Sequence, residues 1–260
     1  MTEITASPIE PPRRFHFDWA LPALFSPRRT FAKIAEQAGD VWLTPLLILV
    51  VAALLRVAVA GPLKQAAAQS GQVQYPPDFQ FWPPDMQAQF NEAMSATSRA
   101  EFVYIFPAIL SFLGVWVGWL VVVGLLHLVF TLLGARGTTR TAMNLVAWAG
   151  LPFAVRDLVR LGYMLVQKQL ITHPGLSGFA PTDDAGMSLF LTTLLGLVDL
   201  YLIWHAALLV LGVRMGEAIS RIRAWGGVLV TLLIVLALQS LPSFLVAQFN
   251  ALNVLRPLFF

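Results

Sequence analysis

The stretch Met143–Val166 constrains this chain more than any other. It is apolar enough to read as a membrane span, yet it carries Pro152, Arg156, Asp157 and Arg160 in its middle. On insertion-type scales three mid-span charges cost roughly 7–10 kcal/mol. The ten Leu, Ile, Val and Phe residues from Leu145 to Val166 return only about 3–6 kcal/mol. Alone, the segment is unstable in hydrocarbon. Its charged face must be buried against other spans or a wet cavity, so the remaining helices are expected to pack around it.

The composition supplies those helices. Of 260 residues, 57% are hydrophobic and only 12% charged, against about 25% charged in ordinary soluble domains. The reading is an all-α, polytopic membrane helix bundle. The pI of 9.6 reflects a net charge of just +3, which gives no argument for a nucleic-acid partner. Without Cys there is no disulfide framework, thiolate metal site or Cys nucleophile. Met1–Pro12 is polar and lacks an apolar core, so no cleavable signal is expected. The first apolar run, Val41–Ala60, reads as an uncleaved anchor.

Residues 1–40 read as a cytoplasmic arm. Phe15, Phe17 and Trp19, beside Arg13 and Arg14, suit either the headgroup layer or a loop packed on helix ends. In the following SPRRTFAKIAEQAGD, Ser26 can cap and Pro27 fits a first turn. Phe31, Ile34, Ala35 and Ala38 form one apolar stripe, with Arg28, Arg29 and Lys33 opposite. Such a basic amphipathic helix reads as an in-plane membrane-surface element.

Residues 41–260 read as five spans, at about 41–60, 103–133, 142–170, 187–212 and 226–248. Arg56 lies near the end of the first and is expected to snorkel to the interface. A polar segment, Gly61–Glu101, reads as a membrane-hugging cap containing a helix that Asp85 caps. The second span carries Gly114 and Gly118 as a GxxxG pair for close helix approach. Gly150 and Pro152 are expected to kink the third span. The fourth holds Asp199 at its centre, on a small polar face with Thr192 and Gly196.

Two charge pairings are expected. Asp157 is three residues before Arg160 and can pair with it along the helix. Arg156 is left for Asp199 at similar depth. As a structural device the cluster fixes helix register; as a functional device it lines a pathway for an anion, proton or lipid headgroup. His127 and His205 stand at similar depth but lack a third metal ligand, so a helix-packing hydrogen bond or an interfacial position is expected of them. No GxSxG, HExxH, Walker or GxGxxG pattern occurs, and neither a cofactor nor a metal is expected.

Positive residues orient the bundle. Ten lie in the arm (Arg13, Arg14, Arg28, Arg29, Lys33), the second loop (Arg136, Arg140) and the fourth loop (Arg214, Arg221, Arg223). Four lie opposite: Lys64, Arg99, Lys168 and Arg256. The N-terminus is expected inside and the C-terminus outside, the weak point being re-entry of the third span at Pro152.

LFSPRRTFAKIAEQAGDVWLTPLLILVVAALL, with Pro27, Phe31 and Pro45, resembles the opening of bacterial members of the Yip (Ypt-interacting protein) membrane family. AWAGLPFAVRDLVRLGYML, with Gly150 and Pro152, resembles that family's third span. The resemblance implies five spans and a cytosolic amino arm in a bacterial inner membrane. Eukaryotic relatives are associated with Rab-type GTPases, but no acidic DLYGP-type stretch precedes the first span here. What the resemblance implies is therefore architecture and a non-enzymatic role, organising the lipid bilayer, a membrane-protein partner or further copies of the chain. The alternative is a small transporter or channel built on Arg156, Asp157, Arg160 and Asp199.

Overall fold

A computed structural model describes residues 15–37, 39–69, 78–96, 99–181, 186–216 and 219–252. Every regular element among them is helical. The Asp183–Asp184 loop and the residues Arg13, Arg14, Ala38 and Arg256 lie outside the described residues.

The bundle is built from α1 (Ala20–Phe25), α2 (Pro27–Glu36), α3 (Leu43–Gln69), α4 (Pro84–Ala96), α5 (Phe106–Leu132), α6 (Thr139–Ala149), α7 (Leu151–Gln167), α8 (Gly186–Leu197), α9 (Leu200–Gly216) and α10 (Arg221–Leu252). A single π-helical turn, Glu101–Ile105, leads into α5. Three stretches are long and apolar enough to cross a membrane: Leu43–Ala67, Glu101–Leu132 and Arg221–Leu245. A fourth arises if α8 and α9, bent by 63° at their junction, count as one span. The expected five is not reached, because the third segment is split into helices of 11 and 17 residues, each too short to cross alone.

That third segment nevertheless runs the length of the bundle. It breaks at Gly150, where Pro152 falls in the first turn of α7 and needs no backbone donor. At one end Arg140 pairs with Asp40 at 3.3 Å, just before α3 starts. At the other, Met164 and Leu170 share a cavity wall with Ala60 and Lys64, near the end of α3. The chain therefore runs beside α3 in two half-helices and does not turn back at Pro152.

The short helix α6 is the hub. Asn144 to Ala149 are all buried, Trp148 completely, with α2, α3, α5 and α9 packed around them. Asn144 uses both ends of its amide on the turn before α3. Its Oδ1 accepts from Val41 N–H at 3.0 Å, and its Nδ2 donates to the Gly39 carbonyl at 3.0 Å. One turn on, Trp148 Nε1 donates to the Val41 carbonyl at 3.0 Å. Val41 is buried, so its backbone groups must be answered, and the two side chains do so from one helix face.

The amphipathic helix α2 does not lie with its apolar face in lipid. Phe31 and Ile34 are buried at 0% and 1% exposure, against α9 and α6. Phe31 fills the space left by Gly212, where an added Cβ would come within 2.9 Å of its ring. The membrane-surface role expected of Phe31 is thus corrected: protein, not lipid, covers the stripe. Arg28, Arg29 and Lys33 are exposed on the other side. The exposed apolar edge belongs instead to Phe17, Leu21 and Phe25. Behind it, His16 stacks on Trp19 at 4.1 Å and donates its backbone N–H to Thr44 Oγ1, fastening this stretch to the bundle. The boundary expected at residue 40 runs through a packed interface.

Large apolar side chains such as Leu110, Leu113, Val117, Leu233 and Leu238 remain exposed along α5 and α10, the surface a bilayer would cover. In the Gly61–Glu101 segment, Phe79, Trp82 and Phe90 cluster with ring centroids 5.2–5.7 Å apart. Gln87 Nε2 closes this knot by donating to the Phe79 and Trp82 carbonyls.

Candidate functional site: a charged cluster between two broken helices

The second break is at Val198–Asp199. The residue expected in mid-helix is in fact a helix cap: Asp199 Oδ1 accepts from Leu202 N–H at 2.9 Å, satisfying an orphan donor of α9. The freed end of α8 is covered by the loop before it. Leu176 N–H donates to the Leu195 carbonyl at 2.9 Å. Gly175, at φ +58°, sits so close to the Leu195, Gly196 and Val198 carbonyls that a Cβ would meet all three within 2.9 Å. Only glycine fits there.

The two breaks are joined. His205 Nδ1 lies 2.7 Å from the Ala149 carbonyl; a carbonyl only accepts, so this nitrogen carries the proton and donates. A side chain of α9 thereby closes the end of α6. The Phe153 ring lies 4.8 Å from the His205 ring and also 4.8 Å from the Arg156 guanidinium carbon.

Five charges meet beside this junction. Arg156 Nη1 is 3.6 Å and Arg160 Nη2 3.4 Å from Asp199 Oδ2. Asp157 Oδ1 lies 3.3 Å from Arg56 Nε and 3.8 Å from Arg156 Nε. The expected helix-internal pair Asp157–Arg160 is not among these contacts. Asp157 turns across to α3, and Arg160 reaches the Asp199 cap. Arg56 therefore does not simply snorkel. It belongs to the cluster, as an ionisable group inside a membrane helix does by default.

With Arg56 included, three guanidinium groups face two carboxylates, leaving one positive charge in excess. The geometry is loose as well. Arg56 Nε, Arg156 Nε and Asp157 Oδ1 are within ion-pair range but make no hydrogen bond among the described residues. These contacts are electrostatic and misaligned, not the bidentate forks that arginine makes at its strongest.

A cavity of about 280 Å³ adjoins the cluster, with Arg56, Arg156, Asp157 and His205 in its wall. Gly114 and Gly118 line it too, and a Cβ at either would touch nothing within 4 Å. The GxxxG pair thus opens space instead of admitting a close helix, correcting its expected role. A Cβ added at Gly196 would make only ordinary contacts, at 3.7 Å, with Pro174 and Ser177. Gly150 is tighter, since an added Cβ would lie 3.2 Å from Leu49. His127 is placed beside Thr139 Oγ1, at 3.4 Å, and His205 on Ala149. Among the described residues no group of three or more metal-ligating side chains occurs.

Asn144 and Gly175 were not singled out for these roles on sequence grounds, whereas a helix-packing hydrogen bond is one of the two roles expected of His205, and it makes one to Ala149. A lone Asn in an apolar segment and a Pro–Gly step before a span were the available signals.

Helices broken at mid-bundle around a charged knot, flanked by long apolar helices, define a polytopic α-helical membrane protein with a buried polar centre. The chain belongs to the Yip family: the Yip1 domain model matches residues 23–246, which takes in both breaks and the whole cluster. No curated protein and no solved structure matches it.

Proposed function

We propose that the chain is a non-enzymatic multi-pass protein of a bacterial cytoplasmic membrane, organising the bilayer or neighbouring membrane proteins from the cytoplasmic surface. One observation carries this reading: two exposed edges of opposite chemistry stand on adjoining helices. Phe17, Leu21 and Phe25 offer an apolar edge at i, i+4, i+8 spacing. Arg28, Arg29 and Lys33 offer a basic one. The first suits the acyl boundary and the second suits anionic headgroups. The excess of basic residues at this end supports an inside N-terminus and an outside C-terminus. The bilayer is the primary partner, and a membrane protein or a second copy is what the surface would gather.

The chain contains no Cys, so single Cys residues at Phe25 and Lys33 can carry an environment-sensitive fluorophore. In vesicles containing anionic lipid, the Phe25 label should report an apolar setting and the Lys33 label an aqueous one. Anionic lipid should cluster around the protein, and the triple variant R28E/R29E/K33E should lose that clustering. A water-exposed label at Phe25, or clustering that survives the charge reversal, overturns the reading.

A second reading, a small transporter or channel, is favoured by the cavity at Arg156 and Asp157 between two discontinuous helices. Discontinuous helices at mid-membrane are a recurring way of building an ion or substrate site. Altered flux in vesicles with a normally folded Asp199→Asn protein would favour it over the first.

A further inference from the structure

A second cavity, of about 500 Å³, lies between α3, α5, α7 and residues 170–174, on the opposite end of the bundle from α2. Its volume falls in the range of about 300–1,000 Å³ typical of small-molecule sites. Its charged lining is cationic throughout: Arg56, Lys64 and Arg160. Neither Asp157 nor Asp199 contributes to its wall. The carboxylates pair with two of these arginines from outside the wall, Asp157 lying 3.3 Å from Arg56 and Asp199 3.4 Å from Arg160. No carboxylate among the described residues is within ion-pair distance of Lys64.

Together the cluster and Lys64 leave two positive charges uncompensated. In or near hydrocarbon such an excess is costly, and a dianionic ligand would neutralise it. Arg guanidinium groups match phosphate oxygens by shape, and Lys adds a mobile point charge. Ser111 is a neutral hydroxyl in the same wall.

The remaining wall is apolar, including Val57, Ala60, Pro107, Leu110 and Met164. Leu110 is 67% exposed, on the outward face of α5 that a bilayer would cover. The cavity thus has a cationic interior and a side that faces acyl chains. We infer that it binds a phosphate dianion, with Arg56, Lys64 and Arg160 as its ligands. A lipid headgroup and free inorganic phosphate share that chemistry, and the apolar side favours the lipid.

The test uses the full chain in a neutral detergent, read by the shift in thermal unfolding as ligand is titrated. The probes are short-chain phosphatidic acid, phosphatidylcholine of equal chain length, and inorganic phosphate. Stabilisation by phosphatidic acid, with phosphatidylcholine inert, is expected. An equal shift with inorganic phosphate would keep the site and assign it to the free anion. Lys64 is exposed and outside the ion-pair cluster, so Lys64→Gln should fold normally and weaken binding about tenfold. Lys64→Arg should restore it. Stabilisation by phosphatidylcholine equal to that by phosphatidic acid, no shift with either phosphate probe, or unchanged affinity in Lys64→Gln and Lys64→Glu would each overturn the assignment.

Discussion

His205 and Ala149 hold the two broken helices together through one 2.7 Å hydrogen bond, imidazole Nδ1 to backbone carbonyl. The acceptor exists because α6 stops at Ala149 and its last carbonyls have no partner within the helix. The donor comes from fifty-six residues further along the chain, and it is itself buried. Each side answers a polar group that the other would leave stranded.

Replacing His205 by Phe keeps a ring in place but removes the donor. The Ala149 carbonyl is then buried without a partner, at a cost of about 1–3 kcal/mol. A lower midpoint of thermal unfolding in detergent is the expected result. His205→Ala should be worse, because a cavity is added. A midpoint unchanged in His205→Phe would mean that water or another donor already serves that carbonyl.

Asp199 does two tasks at once, capping α9 and receiving Arg156 and Arg160. Asp199→Asn can still accept at the cap but withdraws the charge that faces both guanidinium groups. Removing one partner of a buried ion pair costs about 3–5 kcal/mol, and the partial exposure of these side chains (11–22%) places the effect near the lower bound. The expected outcome is reduced folded yield from membranes. Asp199→Asn combined with Arg160→Gln should recover part of it, since the charge excess returns to one.

The pairing pattern was only partly legible in the sequence. That the charged face of Met143–Val166 must be covered by protein or a wet cavity followed from its charges alone; α6 is enclosed and Asp157 is buried, while Leu158, Val159 and Val166 on α7 stay exposed. Which carboxylate serves which arginine did not follow, because helical spacing ranks Asp157–Arg160 first and says nothing of a guanidinium on α3. Arg56 was hidden by its place near a span end, where snorkelling is the simpler reading. The amphipathic pattern of α2 was visible, but periodicity reports that an apolar stripe exists, not whether lipid or α9 covers it. The break at Asp199 was obscured by the unbroken hydrophobicity around it, although Asp is among the strongest N-cap residues. GxxxG spacing likewise describes small residues without saying whether a helix or a cavity lies opposite.

Phe31 tests the corrected packing of α2. Phe31→Ala removes a fully buried ring at the α2–α9 contact and should cost about 3–5 kcal/mol. Gly212→Ala, its counterpart, would place a methyl 2.9 Å from that ring and should also destabilise, by about 1–3 kcal/mol. Were α2 lying in the headgroup layer, both substitutions would be nearly silent in an unfolding measurement.

At Gly175 both causes of strain coincide: a left-handed backbone and three carbonyl oxygens closer than a Cβ tolerates. Gly175→Ala should shift the 173–179 loop off the α8 end and expose the Leu195 carbonyl. Faster amide exchange at Leu176, by mass spectrometry, is the expected signature, and unchanged exchange would contradict the role given to this loop.

The claim beneath all of this is that charges inside the bundle hold separate helices in register, and Arg56 with Asp157 is its simplest case, joining α3 to α7 at 3.3 Å. A double-mutant cycle on Arg56→Gln and Asp157→Asn, measured as unfolding free energy in detergent, tests it directly. The account predicts that the double variant is less damaged than the two singles combined, by about 1 kcal/mol or more. Additivity within about 0.3–0.5 kcal/mol would contradict it, meaning the two side chains are neighbours without being partners.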